Sequence, residues 1–156
     1  MENSCLRYGT ATLLLVLSGS FLVSAIGDSG RKGFAQDMVS ITLGSKTIRA
    51  VLANTDEKRI EGLLGWDTIN DDTGMLLDFI EEQESAIHMN GMKFPIDALW
   101  IDQKGVIKVI YEEIPPNPFQ VYPSLFKCRY CLELKAGFCK RYGVKIGQTV
   151  RFGDTR

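Results

Sequence analysis

Residues 88–102, HMNGMKFPIDALWID, hold the side chains best suited to chemistry: His88, the only histidine of the chain, Lys93 and Asp97. A carboxylate, an ammonium and an imidazole within ten residues could grip a polar ligand or pass a proton. Pro95 fixes its own φ, lacks an amide donor and drives Phe94 to an extended conformation, so a strand is expected to begin there. Side chains alternate along a strand, which puts Asp97 on the same face as Leu99 and Ile101. A carboxylate on such a face needs hydrogen bonds or a cation. Lys93, across the Pro95 turn, and Arg59, from an earlier helix, are the two candidate cations. Two readings stay open. Asp97 accepts backbone N–H bonds and pins the 91–95 turn, or Asp97, Lys93 and His88 line one polar pocket at the end of the strand. His88 taken alone reads as a satisfied, half-buried residue.

The elements that would position these groups follow from periodicity. Val39, Ile41 and Leu43 alternate with Ser40, Thr42 and Gly44, and Ile48, Ala50 and Leu52 answer after a Gly44-Ser45 hairpin turn. Asn54 or Thr55 caps a helix with Asp56 and Glu57 at its positive end, an apolar stripe of Ile60, Leu63 and Leu64, and a stop at Gly65. Arg59 lies beside that stripe with its head group free to reach across. Asp67, Asp71 and Asp72 lack calcium-loop spacing and read as a solvated turn. Strands are expected at 74–80, 85–90, 96–101, 106–111, 129–134 and 148–152, and a short helix at 136–142 closed by Gly143. Residues 115–127, rich in proline and aromatics, make a long loop that is either a binding element or a packed flap. Tight turns favour antiparallel pairing. The fold expected is mostly β (α+β): a small antiparallel sandwich or partly open barrel of seven or eight short strands with two short helices.

With 156 residues, 45% apolar, the chain is long enough for one core plus an appendage. Its net charge of -1 comes from interspersed signs, so nucleic acid is not expected as a partner. Residues 10–27, TATLLLVLSGSFLVSAIG, carry no charge and are apolar all round. Residues 1–27 therefore read as a signal peptide or N-terminal membrane anchor, 28–37 as a linker and 38–156 as a single globular domain. The expected location is extracytoplasmic: secreted, periplasmic or anchored to the outer face of the cell membrane. Cys128-x-x-Cys131, Cys139 and His88 suggest a Cys3His zinc site, but residues three apart on a strand face opposite sides. A thioredoxin-type pair would need a helix N-terminus. Packing or a structural disulfide is the expected role, with no metal and no cofactor.

TDEKRIEGLLG, TGMLLDF, IHMNGMKFPIDALWIDQKGVIKVI, CLELKAG and GVKIGQTV resemble, in order and spacing across residues 39–152, the bacterial and archaeal family catalogued as domain of unknown function 192. The resemblance implies a compact, mostly β domain, often behind a signal peptide or anchor, with no established activity. Its pattern falls on Arg59, Gly62, Gly74, Met75, Met92, Lys93, Asp97, Glu133 and Gly137, and puts small or apolar residues where Cys128 and Cys131 stand. It thereby implies that Arg59, Lys93, Asp97 and Glu133 act together. The expected ligand site joins Arg59, His88, Met92, Lys93, Asp97 and Glu133 beneath the 115–127 loop. The leading reading is a non-catalytic module for a small polar ligand or a partner protein, with membrane contact through residues 10–27. The alternatives are a hydrolase or lyase using Asp97 or Glu133 with His88, although GxSxG and HExxH are absent, and a structural accessory of a membrane complex.

Overall fold

The computed structural model describes residues 37–155 other than Pro118, so the leader expected at 1–27 lies outside the described residues. No helix among the described residues is long and apolar enough to cross a membrane. β1 (Met38–Leu43) and β2 (Lys46–Ala53) form the expected hairpin, closing on the Leu43–Lys46 pair. α1 (Asp56–Glu61) is capped by Thr55, whose hydroxyl accepts the Lys58 N–H at 3.3 Å. It ends at Gly62, with φ 47°, three residues before the expected stop at Gly65. The first glycine able to turn left-handed ends the helix. With so short a helix the expected stripe dissolves: Leu63, just past the end, is buried, while Ile60 is 75% exposed.

β3 (Thr73–Gln83) lies parallel to β2, with Val51 opposite Met75. This one pair departs from the antiparallel pairing that the tight turns favour; every other named pair keeps it. Residues 54–72 carry α1 and a loop, which is the length of connection that parallel neighbours require. β3 then pairs antiparallel with β8 (Cys128–Lys135), bulging between Asp78 and Gln83, where Ile80 has φ 71°. Asp78 steadies the bulge by accepting the Ile80 N–H and two bonds from the Arg129 guanidinium. β5 (Ile96–Ile101) sits between β8 and β6 (Ile107–Ile114). The seven-stranded order is β6-β5-β8-β3-β2-β1-β9, where β9 is Val150–Thr155. β4 (Ala86–His88) pairs with β7 (Val121–Pro123) as a separate two-stranded sheet. β7 was not expected inside the proline-rich loop; it brings the strands among the described residues to nine.

The two edges of the large sheet approach each other. Val106 bridges Thr149, and the Val150 N–H reaches the Gly105 carbonyl at 2.8 Å. The result is a curled, half-closed barrel, the second of the two architectures expected. Gly105 makes that approach possible: its φ is 83°, and a Cβ there would stand 2.7 Å from the Val150 carbonyl oxygen.

Two apolar clusters divide across the sheet. The concave one joins Ile41, Leu76, Leu99, Ile101, Leu132 and Leu134 to Phe138 and Cys139 of α2 (Phe138–Tyr142), which Gly143 closes. The convex one joins Met75, Leu77, Ala98 and Trp100 to Leu63, Ile87 and Met89. Gly74 packs tightly between β3 and β8, where a Cβ would lie 2.9 Å from the Glu133 carbonyl oxygen. A backbone oxygen cannot swing aside, so Gly74→Ala is expected to destabilise the domain by about 1–3 kcal/mol. Denaturant titration checks this, and an unchanged midpoint would contradict the close contact.

Candidate functional site

Asp97 lies where parity places it, on the concave face with Leu99 and Ile101, and is 0% exposed. Among the described residues, no cation pairs with it. Its Oδ1 accepts the N–H groups of Glu113 at 2.8 Å and Gly137 at 3.0 Å, and its Oδ2 accepts that of Cys139 at 2.8 Å. Gly137 precedes α2 and has no side chain to cap it. The Asp97 carboxylate supplies the missing acceptor from another strand, tying β5 to β6 and α2. The backbone-acceptor reading of Asp97 therefore holds in kind, but its donors are distant in sequence and not in the 91–95 turn. Neutralisation by Lys93 or Arg59 is overturned. Lys93 pairs with Asp67 at 2.7 Å in an exposed bridge on the surface.

Glu133 faces the other way. On β8 it alternates with Leu132 and Leu134, and across the sheet it stands between Met75 of β3 and Ala98 of β5. Asp97 is opposite Leu134, one register step away, so the two carboxyls project from opposite faces of the sheet. The expected four-residue grouping of Arg59, Lys93, Asp97 and Glu133 is thus split.

On the convex face, Glu133 lines a pocket of about 380 Å³. The α1 segment contributes Asp56, Arg59, Glu61 and Leu63, β3 contributes Leu77 and Phe79, and β4 contributes Ile87 and His88. Asn90 and Met92 complete the wall. Of the six expected site residues, the structure brings together Arg59, His88, Met92 and Glu133. Among the described residues, none of the 115–127 loop lines this pocket. That loop instead supports β4 from its far edge through the Ile87–Tyr122 pairing.

The charges in the pocket are unevenly satisfied. Arg59 donates to the Asp78 carbonyl and to the Asp56 carboxylate, and its guanidinium lies 5.4 Å over the Phe79 ring. Glu133 is 8% exposed and, among the described residues, its carboxyl forms no hydrogen bond or ion pair. Burial pushes its pKa up to about 7. An acid poised there can carry either charge state near neutrality, and a ligand can supply the partner it lacks.

Sequence reasoning missed Asp56, Glu61, Leu63, Leu77, Phe79 and Ile87. Leu77 and Phe79 alternate along GMLLDFI, and Asp56 precedes Arg59 by one helical turn, so their shared faces were readable. Which elements those faces meet depended on the strand order.

Among the described residues, the thiols of Cys128, Cys131 and Cys139 are free and buried. Cys128 and Cys131 share the convex cluster despite their spacing, while Cys139 belongs to the concave one. A shared metal site for all three is therefore ruled out by the sheet between them. Burial, with Asp102 nearby, pushes the Cys128 thiol up to about 11, and burial raises Cys131 and Cys139 as well. Thiol-reagent labelling at neutral pH is expected to be roughly a hundredfold slower in the native protein than in denaturant. Equal rates would contradict this burial.

No curated protein matches the chain. A structure from Sinorhizobium meliloti, provisionally described as a transcription regulator, is 30% identical, with a TM-score of 0.71 over 79% of this chain and 98% of that one. A protein of unknown function from Novosphingobium aromaticivorans shares the fold at 22% identity, with a TM-score of 0.66 over 73% of this chain and 83% of the other. The sequence profile of the domain of unknown function 192 family, described as an uncharacterised ACR, matches residues 39–152. The chain belongs to that family.

Proposed function

We propose that this protein is an exported or membrane-tethered, non-catalytic binding domain whose convex pocket takes a small polar ligand. The observation that carries this reading is Glu133, a buried carboxyl without a partner among the described residues, at a pocket among apolar walls. An unpaired buried charge costs stability, and a pocket that leaves one open to solvent is suited to a ligand that completes it. The export part rests on the uncharged residues 10–27. Nucleic acid is not proposed, because the charges are of mixed sign and sum to -1.

A thermal-shift screen with amines, amino acids, sugars and nucleotides tests the binding role. At least one class is expected to raise the melting temperature, with the rise abolished in Glu133→Gln. A full set of shifts unchanged by that substitution would overturn the site. A reporter fused after residue 37 tests export, and a cytoplasmic reporter would overturn that part.

A second reading is favoured by the raised pKa of Glu133: the same carboxyl suits a general acid or base in a hydrolase or lyase, with His88 at the rim. Asp97 drops out of that mechanism because it faces the other side of the sheet. Turnover of a bound compound, lost in Glu133→Gln while binding persists, would establish this reading over the first.

A further inference from the structure

We infer that the ligand of the Glu133 pocket is a small organic cation, an amine carried on a short apolar body, with its ammonium against the Glu133 carboxylate. This rests on reading the pocket as a ligand site and goes beyond it in naming the class. Three acids (Asp56, Glu61 and Glu133) line the pocket against one fixed cation, Arg59. That cation is already committed: its guanidinium is held by the Asp56 carboxylate and the Asp78 carbonyl and stacks on Phe79. An acidic ligand would have to displace these partners and would then face Glu133. The group left without a partner is an acid, so the complementary ligand group is a cation with N–H donors.

The wall chemistry sets the rest of the ligand. Leu63, Leu77, Ile87 and Met92 surround the approach to Glu133 and suit an alkyl or aryl body. The volume of about 380 Å³ lies toward the small end of sites for organic molecules. A peptide or folded partner could insert only a single side chain.

Proton balance gives the assignment a signature. An ammonium binds the ionised carboxylate, so a protein molecule carrying protonated Glu133 releases that proton to solvent as the amine enters. A neutral amide leaves the proton in place, and a carboxylate ligand draws one in. The other titratable groups facing the pocket are Asp56, Arg59 and Glu61 from the α1 side and His88 from β4.

Isothermal titration of the full-length chain in detergent, with butylamine, butyramide and butyrate as probes in buffers of different ionisation enthalpy, tests this. Butylamine is expected to bind best and to release protons between pH 5 and pH 7. Its affinity is expected to be at least tenfold weaker at pH 5 than at pH 8, as carboxylate protonation removes its partner. Glu133→Gln is expected to abolish both the binding and the proton release. His88→Gln, the substitution on the β4 side of the same pocket, is expected to leave the pH dependence in place. The pH comparison on the unaltered protein stands even if a variant fails to fold. Stronger binding of butyramide or butyrate would overturn the cation assignment while leaving the pocket a ligand site. Saturation by none of the three, up to tens of millimolar, would overturn the assignment and the ligand-site reading together.

Discussion

Asp97→Ala is expected to lower the unfolding free energy by about 3–5 kcal/mol. The carboxylate is fully buried and accepts three backbone N–H bonds, from Glu113, Gly137 and Cys139. Removing it leaves three donors in a dry site, and it also removes the cap of α2 and the tie between β5 and β6. Asp97→Asn should fall between the unaltered protein and Asp97→Ala, because one oxygen remains while the new amide points donors at donors. Lys93→Met is the contrasting control. Its partner Asp67 is on the surface, and exposed pairs contribute about 0–1 kcal/mol. Urea titrations of the three variants check the ranking. A Lys93→Met loss as large as that of Asp97→Ala would contradict the structure.

Glu133 is expected to make the folded protein less stable as pH rises, the reverse of an ordinary paired carboxylate. Its pKa is about 7 in the fold, against 4.5 for an unperturbed glutamate, because burial disfavours the charge. Below pH 4.5 both states are protonated, and Glu133 adds no pH dependence. Between pH 4.5 and about 7 the unfolded chain loses its proton first, so the native state binds more protons and unfolding becomes easier. Above pH 7 the charge persists in the buried site, and the accumulated loss reaches about 3 kcal/mol. Glu133→Gln should therefore match the unaltered protein near pH 4.5 and exceed its stability by about 2–3 kcal/mol at pH 8. Paired urea titrations at the two pH values read the difference. A Gln variant less stable at pH 8 than at pH 4.5, relative to the parent, would show that Glu133 has a stabilising partner. A saturating amine should act on the unaltered protein in the same direction as the substitution.

Local sequence made much of this arrangement legible. Alternation in VSITL and KTIRAVLA, with Gly44-Ser45 between them, was enough to place a hairpin. Parity alone assigned Asp97 to the face of Leu99 and Ile101, because that relation holds along one strand whatever its neighbours. The same rule applied to CLELK sets Glu133 against Leu132 and Leu134. What parity could not supply is which strand lies beside which. The pairing of β5 with β8, in a register that offsets Asp97 from Glu133, comes from contacts 29 to 39 residues apart. Without it the two acids looked like members of one cluster. The parallel β2–β3 pair was hidden for a similar reason, since α1 is so short that its segment resembles a loop between antiparallel neighbours. β7 ends on Pro123 and has only three residues, so its own sequence reads as loop, and it becomes a strand only by pairing with β4. The partners of Asp97 were opaque in a different way. They are backbone amides, which no residue pattern announces.

The pH titration of the Glu133 carboxyl carbon, followed by NMR in selectively labelled protein, bears most directly on the site. An unpaired buried acid on the convex face is expected to titrate with a midpoint about 7. A midpoint at or below the unperturbed 4.5 would mean that a cation or donor already occupies the carboxyl, and the pocket would then be a closed structural network with nothing left for a ligand to complete.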